Sequence, residues 1–466
     1  MSGWIVLSDP GGYTLGVSGL EKLVGRVRSP YVILILGHPG SGKTTLASTI
    51  CYKNTLEGRS CLYVSFYEDK DKLFNYMRDV GLNLASAESV GLLRFARLPT
   101  PTKVDSAVDL LNTLLSEGKY DVVVIDSINP VLAGAEDPEK RAWLLNYFYN
   151  LAHLNNRLVV LVEELPYGQE ATKIEEFAAD AVLVLRSEVE ESFLVRKLEV
   201  RKVRGRNIPL AEVPFSIIEN RGFEVFVPPV LGEVPVEAGE IYVPCRAFRQ
   251  VWGTLKRGFI AGVYYPATAG PRDLPIFLLA MSAINNIRTL FLSYRYSPNA
   301  MIEMILERAE ELGIEQAITE KILSERITFA SINPFSRSVT QLAIDELQLI
   351  DSVGPDLVVF HGIEILREGI PSGRYLKERY NQLNYLKSRG ILVIRVGEYV
   401  DESAYKEMAL LDDAVIKLSY VTPPSSYGTL KYEALLWRRG KLATIVSPEE
   451  VDECVRKCVE ILKQKR

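Results

Sequence analysis

The segment Gly37-His38-Pro39-Gly40-Ser41-Gly42-Lys43-Thr44 constrains this chain more than any other. It matches the pattern G-x-x-x-x-G-K-[ST]. The apolar run Tyr31–Leu36 precedes it, and a helical pattern over Lys43–Tyr52 follows. A strand, a glycine-rich turn and a helix, in that order, aim backbone N–H groups and a helix N-terminus at a phosphate. Lys43 is expected to reach the β- and γ-phosphates of ATP, and Thr44 to bind Mg2+ through its hydroxyl. The expected nucleotide-binding residues are Gly37, His38, Pro39, Gly40, Ser41, Gly42, Lys43, Thr44 and Thr45.

The flanking pattern supports that context. Short apolar runs recur at Cys61–Ser65, Asp121–Asp126, Arg157–Val162 and Ala181–Leu185, with helical patterns between them. Continuous apolar runs are expected of strands buried on both faces, and β-α-β-α order predicts a parallel sheet. Past Leu185, the runs Phe193–Lys202, Val213–Ile217 and Gly222–Val227 follow without helices, which predicts an antiparallel flank. Asp126 closes the run VVVID, at the strand end where ligands of α/β sheets sit. It is the expected second Mg2+ residue. Glu68 is the first choice for the carboxylate that orients an attacking water, with Glu163 and Glu164 as alternatives. Lys202 and Arg204 alternate on one strand, so they share a face and can serve a phosphate on a neighbouring subunit. By the same alternation Arg201 and Val203 share the opposite face.

The second half repeats the first. With a shift of 228, Gly25 falls on Gly253, Tyr31–Leu36 on Phe259–Tyr264, and LYVSFY on LFLSYR. With a shift of 235, DVVVID falls on DLVVFH; with 233, FAADAVLVL falls on LLDDAVIKL. Ordered features with slowly drifting offsets indicate a tandem duplication. The proline-rich stretch Pro228–Glu240 is the expected boundary, giving domains 1–230 and 231–466. The second copy has lost its chemistry. Lys43 becomes Pro271, Thr44 becomes Arg272, Gly37 becomes Tyr265, Gly40 becomes Thr268, Asp126 becomes His361, Glu68 becomes Tyr296 and Lys202 becomes Trp437. Proline cannot donate a hydrogen bond to phosphate. A degenerate pseudo-ATPase domain that keeps the fold is expected.

Composition narrows the function. Of 466 residues, 47 % are hydrophobic and 24 % charged, and the net charge is −5, which excludes a basic nucleic-acid coat. The segment Glu163–Phe177 carries five glutamates, which argues against a DNA-tracking loop. Five cysteines without a C-x-x-C pair argue against a zinc ribbon or a disulfide framework. Cys454 and Cys458, four apart on a helical pattern, are expected in the core. The N-terminus lacks the pattern of a signal peptide and no run is long enough to span a membrane, so a cytoplasmic protein is expected.

GVSGLEKLVG, GHPGSGKTT, LYVSFYED, VVVIDS, EEFAADAVLVL and RKVRG, in this order, resemble the KaiC-like ATPases of the RecA superfamily. The resemblance covers residues 14–206 and recurs, weakened, over about 245–440. It implies tandem RecA-like P-loop domains, ATP and Mg2+ as ligands, and a homo-oligomeric, hexameric ring with nucleotide between subunits. It also implies that Lys202 and Arg204 contact the neighbour's ATP. The family's catalytic glutamate is the first of two after the second strand; here those positions hold Tyr67 and Glu68. The expectation is therefore an ATP-binding protein that hydrolyses slowly and whose nucleotide state controls ring assembly and a protein partner. A non-hydrolysing switch is the alternative, and a DNA-binding recombinase the weaker third.

Overall fold

The computed structural model describes residues 12–99, 104–135, 137–166, 176, 179–190, 192–208, 210–227, 238–253, 255–267, 270–369, 372–421 and 431–464. The chain divides into two compact units, Met1–Val227 and Pro228–Arg466.

The first unit is built on a nine-stranded sheet. Its strands are β1 (Tyr31–Gly37), β2 (Cys61–Ser65), β3 (Leu93–Arg97), β4 (Val122–Asp126), β5 (Leu158–Glu164), β6 (Ala181–Glu190), β7 (Phe193–Val203), β8 (Glu212–Ile218) and β9 (Gly222–Val225). The order is β3-β2-β4-β5-β1-β6-β7-β8-β9. Pairing is parallel from β3 through β6 and antiparallel beyond it. The apolar runs are strands covered on both faces. Ile33 and Ile35 pack into one core layer with Leu46, Ile50 and Cys51 of the helix Lys43–Leu56. Val32, Leu34 and Leu36 pack into the other, with Leu111, Leu144 and Phe148. The edge strand β3 escapes a reading by apolar runs, because LRFAR is only half-buried and carries two arginines.

The second unit carries β10 (Ala238–Ile241), β11 (Leu255–Arg257), β12 (Ile260–Pro266), β13 (Thr289–Ser293), β14 (Ile327–Ser331), β15 (Leu357–His361), β16 (Leu392–Tyr399), β17 (Ala414–Val421), β18 (Lys431–Arg438) and β19 (Thr444–Val446). Its main sheet runs β14-β13-β15-β16-β12-β17-β18-β19, the first sheet's order strand for strand up to β8. Small polar devices recur with it. Asp121 accepts from the N–H of Ser60, and Asp356 from that of Arg288; Asp180 accepts from Val32, and Asp413 from Ile260. The mean architecture is thus mixed α/β with two mainly parallel sheets flanked by helices.

One layer of the second unit has changed character. Leu36, Leu161 and Ala179 of the first correspond to Tyr264, Arg395 and Asp412, a buried cluster in which Arg395 and the Tyr264 hydroxyl both hold Asp412. Gly262 makes room: a Cβ there would lie 2.3 Å from Asp412 Oδ2. Cys454 and Cys458 lie in the core on the helix Pro448–Lys463, as their spacing predicts. The first unit corrects the cysteine expectation: Cys51 and Cys61 form a disulfide between the helix Lys43–Leu56 and β2. No spacing rule reveals that pair, because helix packing on the sheet brings the two together.

Candidate functional site

The loop after β1 has the form its glycines demand. Gly40 and Gly42 lie at φ 77° and 100°, a backbone that side chains other than glycine rarely adopt. Gly37 must also lack a side chain, since a Cβ there would meet the Leu185 carbonyl at 2.5 Å. Gly42 caps the helix Lys43–Leu56, which therefore opens toward the loop. Lys43 Nζ donates to the His38 carbonyl at 2.8 Å and lies 3.6 Å from Glu164 Oε1. Burial pushes the Lys43 ammonium below its ordinary value, against the pull of Glu164 and Asp126. His38 Nδ1 lies 3.1 Å from the Leu165 carbonyl, which anchors the loop to the end of β5.

Asp126, at the end of β4, is held by the Tyr63 hydroxyl at 2.7 Å and by Thr44. Burial raises its carboxyl above the ordinary value, while Tyr63, Thr44 and Lys43 act the other way. A hydroxyl and a buried carboxylate side by side form an oxygen donor set that suits a hard divalent cation. The buried Ser41 hydroxyl in the same loop has no hydrogen-bond partner. These observations fit a loop that receives phosphate oxygens and Mg2+. The peptide Asp126–Ser127 is cis.

The carboxylates separate. Glu164 ends β5, opposite Gly37 in the ladder, and reaches Lys43. Asn129 grips its peptide twice: the side-chain amide donates to the Glu164 carbonyl at 2.9 Å and accepts from its N–H at 2.7 Å. Glu163, one residue earlier, is buried. Glu68 is paired with Lys72 at 3.0 Å, and its backbone N–H donates to Ser65. Tyr67 is half-exposed, and its hydroxyl lies within electrostatic reach of Glu164. Asn129 escaped sequence reasoning altogether. Its signal was its place three residues after Asp126, beyond the strand end.

Lys202 and Arg204 lie on β7 and just past it. Lys202 Nζ donates to the Glu176 carbonyl at 3.0 Å, and Arg204 lies 3.2 Å from Asp180 with most of its side chain exposed. Strict alternation fails before them. β7 is irregular where Val182 pairs with Lys202 and Leu183 with Val200. The extra residue is Arg201, which pairs with Glu199 and Glu176, while Val203 enters the core beside Val200. Arg201 and Val203 therefore do not share a face.

At the matching place in the second unit, the helix Leu274–Asn285 opens three residues after Pro271. Thr268 lies outside the described residues. Arg272 is paired with Glu311 at 2.6 Å. His361 Nδ1 lies 3.0 Å from Ser293 Oγ, and its ring stacks on Tyr296. Arg295 bridges Glu364 and Glu398 at 2.8 and 2.9 Å. Most of the acidic segment after Glu164 falls outside the described residues. No helix among the described residues is long and apolar enough to cross a membrane.

Comparison with known proteins agrees with this geometry. Residues 13–229, just under half of the chain, match the family model described as ATPase: KaiC. A circadian clock protein KaiC3 of Synechocystis sp. is 25 % identical over 223 residues, which cover 45 % of this chain and 44 % of that protein. A circadian clock oscillator protein KaiC of Thermostichus vulcanus is 28 % identical over 206 residues, 41 % of this chain and 39 % of that protein. Protein RecA of Paramagnetospirillum magneticum is 31 % identical over 122 residues, 26 % of this chain and 29 % of that protein. The chain thus spans less than half the length of the curated relatives it matches.

Proposed function

We propose that this chain, whose residues 13–229 match a KaiC ATPase family model, binds one Mg·ATP, hydrolyses it slowly, and couples nucleotide state to ring assembly. The observation that carries the reading is the convergence of Lys43, Thr44, Asp126 and Glu164 on one glycine-rich loop. The loop N–H groups and Lys43 would hold the phosphates, and Thr44 and Asp126 the metal. Bound Mg2+ supplies charge neutralisation across the β- and γ-phosphates. Lys202 and Arg204 serve the neighbour's γ-phosphate, so the ring closes only around nucleotide. Residues 231–466 form a pseudo-ATPase that keeps the sheet and presents a surface to a protein partner.

Titration calorimetry with a non-hydrolysable ATP analogue tests the reading. The expected stoichiometry is one per chain, with the affinity sharply weakened by Lys43→Ala. Two sites per chain would overturn the pseudo-ATPase assignment, and no binding would overturn the whole proposal. A second reading, a switch that binds ATP without cleaving it, draws support from Tyr67 and from the engagement of Glu68 by Lys72. Phosphate release by the intact oligomer separates the two.

A further inference from the structure

Resting on the ATP-site reading above, we infer that Glu164, rather than Glu68, is the carboxylate that orients the attacking water, and that Asn129 is its positioning residue. Three observations converge. Glu164 Oε1 is 3.6 Å from Lys43 Nζ, the atom assigned to the γ-phosphate, whereas Glu68, which precedes the helix Lys70–Asp79, is engaged by Lys72 at 3.0 Å. The Glu164 side chain is 42 % exposed, so water reaches it, while its neighbour Glu163 is buried. Its backbone is pinned from both sides by the Asn129 amide, which limits where the carboxylate can go.

The second unit supplies an internal comparison. The ladder places Glu398 opposite Tyr265 as it places Glu164 opposite Gly37. Glu364 stands where Asn129 does and accepts from the Glu398 N–H at 3.0 Å. Both copies thus hold the end of this strand by a side chain three residues past the neighbouring strand. The carboxylates then differ in partner. Glu164 faces Lys43; Glu398 is neutralised by Arg295, which stands where Tyr67 does. Where the lysine is lost, the carboxylate is tied off by an ion pair. Where the lysine remains, the carboxylate stays next to it.

When the phosphates draw Lys43 away, the Glu164 carboxylate is left beside the γ-phosphate with an open lone pair for water. The water oxygen bonds to the γ-phosphorus as the bond from that phosphorus to the β–γ bridging oxygen breaks. ADP leaves with that electron pair, and Glu164 accepts the water proton and later gives it to solvent.

The test uses the full chain and two readouts, kcat and the Kd for ATP. Glu164→Gln should lower kcat by about 10²-fold or more. Its Kd for ATP should hold or tighten, because a negative charge beside the phosphates is gone. Asn129→Ala should lower kcat with Kd unchanged. Asn129→Asp keeps the acceptor for the Glu164 N–H, as Glu364 does for Glu398, and should return part of the rate. Retained kcat in Glu164→Gln overturns the inference, as does a loss confined to Kd, which would make Glu164 only a counter-ion for Lys43. A rate lost in Glu68→Gln but kept in Glu164→Gln overturns it too. A parent chain that binds ATP and releases no phosphate overturns it while leaving the ATP site intact; a parent that does not bind ATP overturns both.

Discussion

Lys43 is nearly buried, and its ammonium is balanced by two carboxylates and a carbonyl. Replacing it by alanine removes a charge-assisted contact from a partly desolvated site. Lys43→Ala should weaken ATP binding by about 2–3 kcal/mol, roughly 30- to 150-fold, in a fluorescent-nucleotide titration. At Asp126, proposed above to hold Mg2+, proton and metal would compete. Burial raises its carboxyl, so it takes up a proton at a higher pH than an ordinary carboxylate. Mg2+ affinity should therefore decline on acidification sooner than at an exposed carboxylate, and Asp126→Asn should flatten the slope. His361 has the opposite sense. Burial and the Arg295 charge lower its imidazole from 6.5 to about 4. The neutral ring is favoured in the fold, so its contribution is complete above about 6.5 and is lost as pH falls through about 4. Relative to His361→Asn, the second unit should lose about 3 kcal/mol of stability by pH 4, measured by denaturant titration.

At the scale of elements, the irregular pairing of β7 with β6 decides what the cations can do. The extra residue at Arg201 turns Val203 into the core and leaves Lys202 and Arg204 near the strand end, one on the Glu176 carbonyl and one beside Asp180. On the proposed reading, a phosphate in trans would replace these contacts within the chain. Lys202→Ala/Arg204→Ala should fold and bind ATP, yet lose ATP-dependent assembly and most turnover. Mixed with Lys43→Ala subunits, it should regain part of the activity, because each variant supplies what the other lacks. Mixed oligomers without regained activity would show that the cations act within their own subunit. The strands of β1, β2, β4 and β5 were legible as apolar runs because burial on both faces leaves no alternation to interpret. The half-buried β3 was not, and the irregularity at Arg201 was invisible because a one-residue slip leaves composition untouched.

For the whole molecule, nucleotide should stabilise one unit and not the other. At an ATP concentration about 100 times Kd, the unfolding transition of the first unit should gain about 2.7 kcal/mol while that of the second stays in place. Calorimetric scans of the intact chain with and without Mg·ATP read this directly, and a shift of both transitions would refute it. The tandem repeat, the P-loop and the missing lysine of the second copy were determined by the sequence alone, because each is a local pattern of residue type and spacing. The partners of the candidate site residues were decided only by the tertiary structure. β5 lies between β4 and β1, although more than a hundred residues separate it from β1; the β1 side brings Glu164 to Lys43, and the β4 side brings Asn129 to Glu164. The same holds for Cys51 with Cys61 and for Arg295 with Glu364 and Glu398. Spacing along a regular strand or helix sets which face a side chain occupies; strand order and crossover packing set what it meets there.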